Sequence, residues 1–509
     1  MQRRSFIQGL LLGAIAAAAK PGFLRAEVLA TGPERFAAGL AREPWLAGWK
    51  SFNDEAFGPT QATIEGEWPS GLTGTLYRNG PARFERGARR YQHWFDGDGL
   101  MQAWRFRDSQ VTHTGRMIAT EKFVHEQKVG RFDVRAAGTT IPDAIPMRNN
   151  DSMNTANTAV MRLGKRVFAL WEGGSAYEID PDTLAARGAT TWRSDLVAAP
   201  FSAHPLLERD GSAWNFGSLD FFGTSGLIIW RIGADGTLVR TAVLESREPG
   251  YLHSFAMTDK YLVFTFMPYR IAEDKGSFFE RLQFTPDRAC RVALVPKDAL
   301  DAPRWFEAPF AAIYHFADAY EHRGKVVVRA ARHADIEEAR APMAAAMRGE
   351  RGSPSSNTEL VSLHLDLARN RARWETHGVG GFEFPAFDAR TPGDQPAMIY
   401  APTSVRPTNA PYFNAISSID TRADRVSVHH YGADVLAEEH LFVPKPGSTR
   451  PGDGWLVGTL LDFGRGRSGV AVLDAARVKA GPLAIAWVPY TIPLGFHGWF
   501  ASETDTYDS

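Results

Sequence analysis

Gly74-Thr75-Leu76-Tyr77-Arg78-Asn79-Gly80-Pro81 begins as a strand-length run with β-branched and aromatic residues and ends in a turn-forming triplet. The same grammar recurs along the chain. Val167-Phe168-Ala169-Leu170-Trp171, Tyr261-Leu262-Val263-Phe264-Thr265, Val326-Val327-Val328-Arg329, Val426-Ser427-Val428 and Gly454-Trp455-Leu456-Val457-Gly458-Thr459 all have the composition of strands. Asp96-Gly97-Asp98-Gly99, Asp210-Gly211 and Asp235-Gly236 read as turns between them. Short strands repeated this densely predict an all-β fold, closed on itself or built by radial repetition. No repeat of fixed period is legible, so a propeller does not follow from periodicity.

Two stretches read as helical. Phe36 to Glu43 precedes the strands and is stopped by Pro44. Ala334 to Arg348 is rich in Ala, Glu and Met, and Pro342 is expected to kink or split it. Lying between strands, it reads as an inserted cap, with Ser353-Pro354-Ser355-Ser356-Asn357 as the loop after it.

Composition excludes several functions. The 57 Lys and Arg nearly balance the 58 Asp and Glu, so no net field draws the chain to nucleic acid. Cys290 is the single cysteine, which rules out an internal disulfide, a CxxC pair and a cysteine cage; it reads as a small core residue. G-x-S-x-G and P-loop motifs are absent, leaving no support for esterase or nucleotide-hydrolase readings. At the start, Arg3-Arg4-Ser5-Phe6-Ile7 precedes the apolar run Leu10 to Ala19, and Leu24-Arg25-Ala26 offers small-residue cleavage chemistry. The run is shorter than the roughly 20 residues of a spanning helix. Residues 1–26 are therefore expected to be a twin-arginine signal, read by the export machinery and directing the protein to the periplasm. Residues 27–509 are expected to form a single domain, since no later shift in composition marks a boundary.

Four of the 14 histidines share apolar or aromatic neighbours at expected strand ends: Ala203-His204-Pro205, Leu252-His253-Ser254-Phe255, Tyr314-His315-Phe316 and Gly495-Phe496-His497-Gly498-Trp499. Their wide spacing excludes a single helix or hairpin and fits side chains converging from separate elements. Imidazole alone suits zinc, copper and nickel as well as iron. The His364-Leu365-Asp366 triplet has a metal-ligand form but reads better as a strand entering a turn. His429, His430 and His440 read as solvated or structural.

Tyr91-Gln92-His93-Trp94-Phe95-Asp96-Gly97-Asp98-Gly99 resembles the early signature of the carotenoid cleavage oxygenases, a family that includes lignostilbene dioxygenases and the retinal pigment epithelium isomerase. Arg78-Asn79-Gly80-Pro81 and Ala156-Asn157-Thr158 are similar to two further blocks. His204 with Asn215-Phe216-Gly217, Leu252-His253-Ser254-Phe255, Tyr314-His315-Phe316-Ala317-Asp318-Ala319-Tyr320-Glu321 and Gly495-Phe496-His497-Gly498 resemble the four ligand blocks, in order. Ala82, Ala159 and Asp318 stand where the family commonly has Asn. The resemblance implies a seven-bladed β-propeller, capped by loops and short helices, with one iron(II) ion (Fe2+) on its axis held by His204, His253, His315 and His497, and with O2 as co-substrate.

By the same resemblance, Glu172, Glu383 and Glu439 orient His253, His315 and His497 respectively, each fixing a tautomer. Glu438 is the alternative to Glu439; register with Leu441-Phe442-Val443 favours the latter. The implied reaction is oxidative cleavage of a carbon–carbon double bond, giving carbonyl products from a hydrophobic alkene. Carotenoids or apocarotenoids are the first substrate class. Phenolic stilbenes or phenylpropenoids are the second, because Lys122 and Tyr91 resemble the phenol-anchoring pair of stilbene cleavers; the alternative for Lys122 is a surface charge on a strand. A non-catalytic ligand-binding propeller is the reading from outside enzymology. Peripheral contact with a membrane is common in relatives of this kind.

Overall fold

The computed structural model describes residues 32–220, 224–273, 276–353, 357–390 and 397–503. The expected signal, residues 1–26, lies outside them, as does the centre of the loop at 354–356. Among the described residues, seven sheets of three or more strands follow one another, besides a two-stranded ribbon of Glu85–Arg86 and Arg89–Arg90. They are the blades of a seven-bladed β-propeller. No described helix is long and apolar enough to cross a membrane.

Strand Gly454–Asp462 shows why these sequences stack as blades. Every residue in it is buried, and its side chains alternate between two neighbours. Trp455 and Val457 pack in a cluster with Leu76, Trp104 and Phe106 of the first blade. Leu456 and Leu460 pack on the other face with Tyr400 and Ile416 of the preceding blade. A large apolar side chain so buried contributes about 1.5–3 kcal/mol, so a run apolar on both faces is stable only between two sheets.

The ring is closed twice. Strand Gly498–Ser502, near the end of the chain, adds to the first sheet beside Gly74–Arg83. Strand Thr63–Gly66, near the start, adds to the last sheet beside Pro482–Val488.

The expected turn at Asn79-Gly80-Pro81 is instead part of strand Gly74–Arg83. The glycine there serves close approach: a Cβ on Gly80 would stand 2.3 Å from Gly495 Cα. Gly99 likewise begins a strand, Asp98–Arg107, under the carbonyl of Ala156. Asn157 ties this region together, its Nδ2 donating to Phe95 O at 2.8 Å and Gly97 O at 2.7 Å.

The N-terminal helix spans Gly32–Leu40, and Pro44 starts a separate 3-10 turn, Pro44–Trp49. The cap helix, Ile336–Met347, runs unbroken through Pro342. Its buried face, including Ile336, Ala339, Ala346 and Met347, holds it in place, and the Tyr412 hydroxyl donates to Pro342 O at 2.9 Å. Lys122 lies on a helix rather than a strand. Glu121–Val129 is capped by Thr120, whose hydroxyl accepts from Phe123 N at 3.1 Å, and by Gly130 at φ 71°.

Cys290 is buried in the core. His364 lies on strand Thr358–Asp366, which ends in a turn. Asp318 replaces an amide by a charge because it faces a cation: Arg329, itself buried, donates from Nε to Asp318 Oδ1 at 2.8 Å.

Candidate metal centre

Four segments from four blades reach the propeller axis. His204 follows a loop that Asn215 braces, its Nδ2 donating to Ser202 O at 2.8 Å. His253 lies between strands Gly250–Tyr251 and Ala256–Met257. His315 sits within strand Ala312–His322 rather than at its end, where a shift in register between Ile313 and Phe316 frees it from regular pairing. His497 immediately precedes strand Gly498–Ser502.

Their ligand nitrogens all lie within 4.8 Å of one another. His204 Nε2 is 2.9 Å from His253 Nε2, and His315 Nε2 is 3.2 Å from His497 Nε2. A metal–imidazole bond is about 2.1 Å long, so two nitrogens at right angles around one ion stand about 3.0 Å apart. The donor set and its spacing fit a metal ion.

Carboxylates fix three of the rings. His253 Nδ1 donates to Glu172 Oε2 at 2.8 Å, His315 Nδ1 to Glu383 Oε2 at 2.6 Å and His497 Nδ1 to Glu439 Oε1 at 2.8 Å. Each bond leaves the Nε2 lone pair facing the centre. Burial, with the three other imidazoles beside it, holds His204 well below the usual histidine range. Burial raises the Glu383 carboxyl, but His315 and His333 outweigh it and hold the group below the ordinary carboxylate range. Glu439 is lowered in the same way by His497 and Arg78 against burial.

A β-bulge explains the paired glutamates. Register shifts between Ala437 and His440, so Glu438 and Glu439 both reach inward from strand Val435–Pro444. Glu439 takes His497, while Glu438 Oε1 accepts from Gly495 N at 2.5 Å. His440 turns the other way, fully buried, its Nδ1 donating to Glu438 O at 2.8 Å.

Several partners were not legible in the sequence. His333 Nε2 donates to Glu383 Oε1 at 2.6 Å, and the Tyr251 hydroxyl donates to Glu172 Oε2 at 3.1 Å. Arg78 Nη1 donates to Glu439 Oε2 at 2.7 Å. Only Arg78 carried a signal, as part of the Arg78-Asn79-Gly80-Pro81 block.

A cavity of about 600 Å³ reaches His253, His315 and His497 and is walled by Trp94, Phe95, Phe384, Phe413, Leu436 and Phe496. Tyr91 and Lys122 are not among its lining residues. Lys122 is neither a surface charge nor on a strand. Its buried ammonium donates to Asp98 Oδ1 at 2.6 Å and Glu126 Oε2 at 3.0 Å, and lies 5.2 Å from the Tyr91 ring. Tyr91 itself stacks on Phe132 at 3.8 Å.

The family model described as retinal pigment epithelial membrane protein matches residues 49–502. The chain belongs to this family. Among its relatives, the apocarotenoid-15,15'-oxygenase of Synechocystis is 27% identical, over 90% of this chain and 96% of that protein. Resveratrol cleavage oxygenase 1 of Aspergillus fumigatus is 26% identical over 88% of this chain and 93% of that one. Isoeugenol monooxygenase of Pseudomonas nitroreducens is 23% identical over 86% and 93%. The structure of cobalt-substituted Synechocystis apocarotenoid oxygenase superimposes with a TM-score of 0.78 at 25% identity, covering 90% of this chain and 98% of that one. This family member thus shares fold and near-full length with oxygenases that bear both carotenoid and phenylpropenoid names.

Proposed function

We propose that this protein is a non-haem iron(II) dioxygenase that cleaves a double bond of a carotenoid or apocarotenoid, using O2 and yielding two carbonyl products. The observation that carries the reading is the convergence of four imidazoles, three of them carboxylate-fixed, beside an apolar cavity. His204, His253, His315 and His497 would hold the ion. When bound, it supplies the oxygen activation that the chain's own side chains cannot perform.

The residues around it bind and orient. The aromatic walls exclude water and hold a long alkene so that one double bond lies against the histidine cluster, a gain from proximity. Phe384 packs 5.0 Å from the His315 ring and 5.2 Å from His497, limiting how the alkene can approach. Glu172, Glu383 and Glu439 keep three imidazoles in the ligating tautomer.

The names of the resveratrol and isoeugenol relatives favour a second reading, cleavage of a phenolic stilbene or phenylpropenoid. The engagement of Lys122 by two carboxylates, away from the cavity, supports placing it second. Products formed by the iron-loaded enzyme from an apocarotenal and from a hydroxystilbene, assayed side by side, decide between them. Turnover of neither would return the protein to a ligand-binding role. Alanine at any of the four histidines should remove iron while circular dichroism stays β-rich; iron retained in two of these variants would overturn the assignment.

We further infer export by the twin-arginine route to the periplasm, supported by Arg3 and Arg4 before the apolar run. Replacing both by Lys should leave the precursor inside the cell.

A further inference from the structure

The cavity is apolar over most of its wall, yet Arg135, Arg148 and Arg281 line it. They come from segments joined through the backbone. Ile145 N donates to Asp133 O at 2.7 Å, and Phe279 N donates to Ala137 O at 3.0 Å. Residues 133–137, 145–148 and 278–281 therefore form one rim.

The charges on this rim are unequally compensated. Arg148 pairs with Glu121. Arg281 gives its Nε to Ala272 O at 3.2 Å and makes no ion pair among the described residues. Arg135 is exposed, with neither a hydrogen bond nor an ion pair among the described residues. The nearby acids are committed elsewhere. Glu280 Oε2 accepts from Ser277 N at 2.7 Å, and Asp133 takes His125 at 2.9 Å. Deeper in the cavity, Glu172, Glu383, Glu438 and Glu439 are each held by a histidine or an arginine. No carboxylate of the described chain neutralises Arg135 or Arg281.

Resting on the oxygenase reading above, we propose that this rim binds the carboxylate end of the substrate, and that the preferred ligand is a long polyene carboxylic acid. A guanidinium presents parallel N–H donors that match the two oxygens of a carboxylate. A carboxylate cannot follow the hydrocarbon into an apolar cavity without a large desolvation cost. The acid therefore enters tail first and stops with its charge at the rim. The distance from rim to histidines then selects which double bond is cut.

The test is binding to the full-length protein of a polyene carboxylic acid and of the aldehyde of equal chain length. The readout is quenching of tryptophan fluorescence, since Trp94 and Trp171 line the cavity. Wild type should bind the acid more tightly than the aldehyde, and added salt should weaken only the acid. Arg135→Gln with Arg281→Gln should weaken the acid roughly tenfold, the loss expected of one charge-assisted contact, and leave the aldehyde unchanged. Equal affinity of acid and aldehyde in wild type, or equal weakening of both, overturns the proposal. So does unchanged acid binding with lost binding to phosphatidylglycerol vesicles, which would make the rim a lipid-headgroup surface. Because binding is read without turnover, an enzyme that cleaves no alkene but binds the acid through these arginines would refute the dioxygenase reading and not this one.

Discussion

Glu383 holds His315 by a 2.6 Å bond from Nδ1 to Oε2, and spends its other oxygen on His333 Nε2, also at 2.6 Å. Both oxygens of this buried carboxylate accept from a ring nitrogen, so an amide cannot replace it: one histidine would face an NH2 group. Glu383→Gln should lower metal affinity roughly 10–100-fold, the usual cost of losing a carboxylate behind a ligating histidine. Titration of the metal-free protein with iron(II) measures it. Undiminished affinity would mean that His315 keeps its tautomer by other means.

The neighbouring glutamates should differ. Glu439 accepts from His497, Arg78 Nη1 and Gly498 N, whereas Glu438 accepts from Gly495 N and, at 3.4 Å, Arg78 Nη2. Glu439→Gln should weaken iron binding as strongly as the change at Glu383. Glu438→Gln keeps an acceptor for Gly495 and should change it little. Equal loss in the two variants would show that the bulge does not separate their roles.

Lys122→Met should destabilise the protein rather than alter its choice of substrate. Among the described residues, the change leaves Asp98 and Glu126, both fully buried, with Arg86 as their remaining ion-pair partner, its Nη2 2.9 Å from Asp98. Breaking a buried ion pair from one side costs about 3–5 kcal/mol. Urea unfolding at neutral pH reads that loss. A variant as stable as its parent that has lost only hydroxystilbene cleavage would restore a phenol-anchoring role.

Stability should fall in mild acid, in part through His113. Its ring stacks on Trp104 at 3.8 Å, between the Tyr490 hydroxyl and Gln102 Oε1, each at 3.2 Å. Burial pushes its pKa down to about 3 from an ordinary 6.5. Between those values the unfolded chain binds the proton and the folded one does not, so acid favours unfolding. The contribution is whole above about pH 6.5 and is lost as pH falls toward 3. His113→Gln should flatten the dependence of unfolding free energy on pH by up to about 1.4 kcal/mol per pH unit in that window. An unchanged slope would mean that the imidazole titrates alike in both states.

The strand runs were legible because a blade is locally encoded: β-branched and aromatic residues bounded by Gly and Asp appear in sequence before any contact forms. Helix Glu121–Val129 was missed although its signals, Thr120 ahead of Glu121 and Gly130 behind Val129, were present. Its interior is polar, with no apolar stripe to reveal a period, and the buried network around Lys122 is what makes burying that face tolerable. The turn expected at Asn79-Gly80-Pro81 failed for a non-local reason. Gly80 is there for the passage of Gly495, more than four hundred positions along the chain.

The sequence by itself determined the all-β class, the order of the motifs and the four histidines, because each was carried by contiguous residues. Tertiary structure alone decided how they are used. His333 is unremarkable in its own strand and acquires a role because the ring of blades brings Glu383 to it. Tyr91 and Lys122 carry the residue types of a binding pair, yet packing turns the lysine toward Asp98 and Glu126 and leaves both outside the cavity. Local sequence can specify which group is present and whether its backbone is extended. Where that group points, and which charge or cavity faces it, depends on chain segments hundreds of residues away.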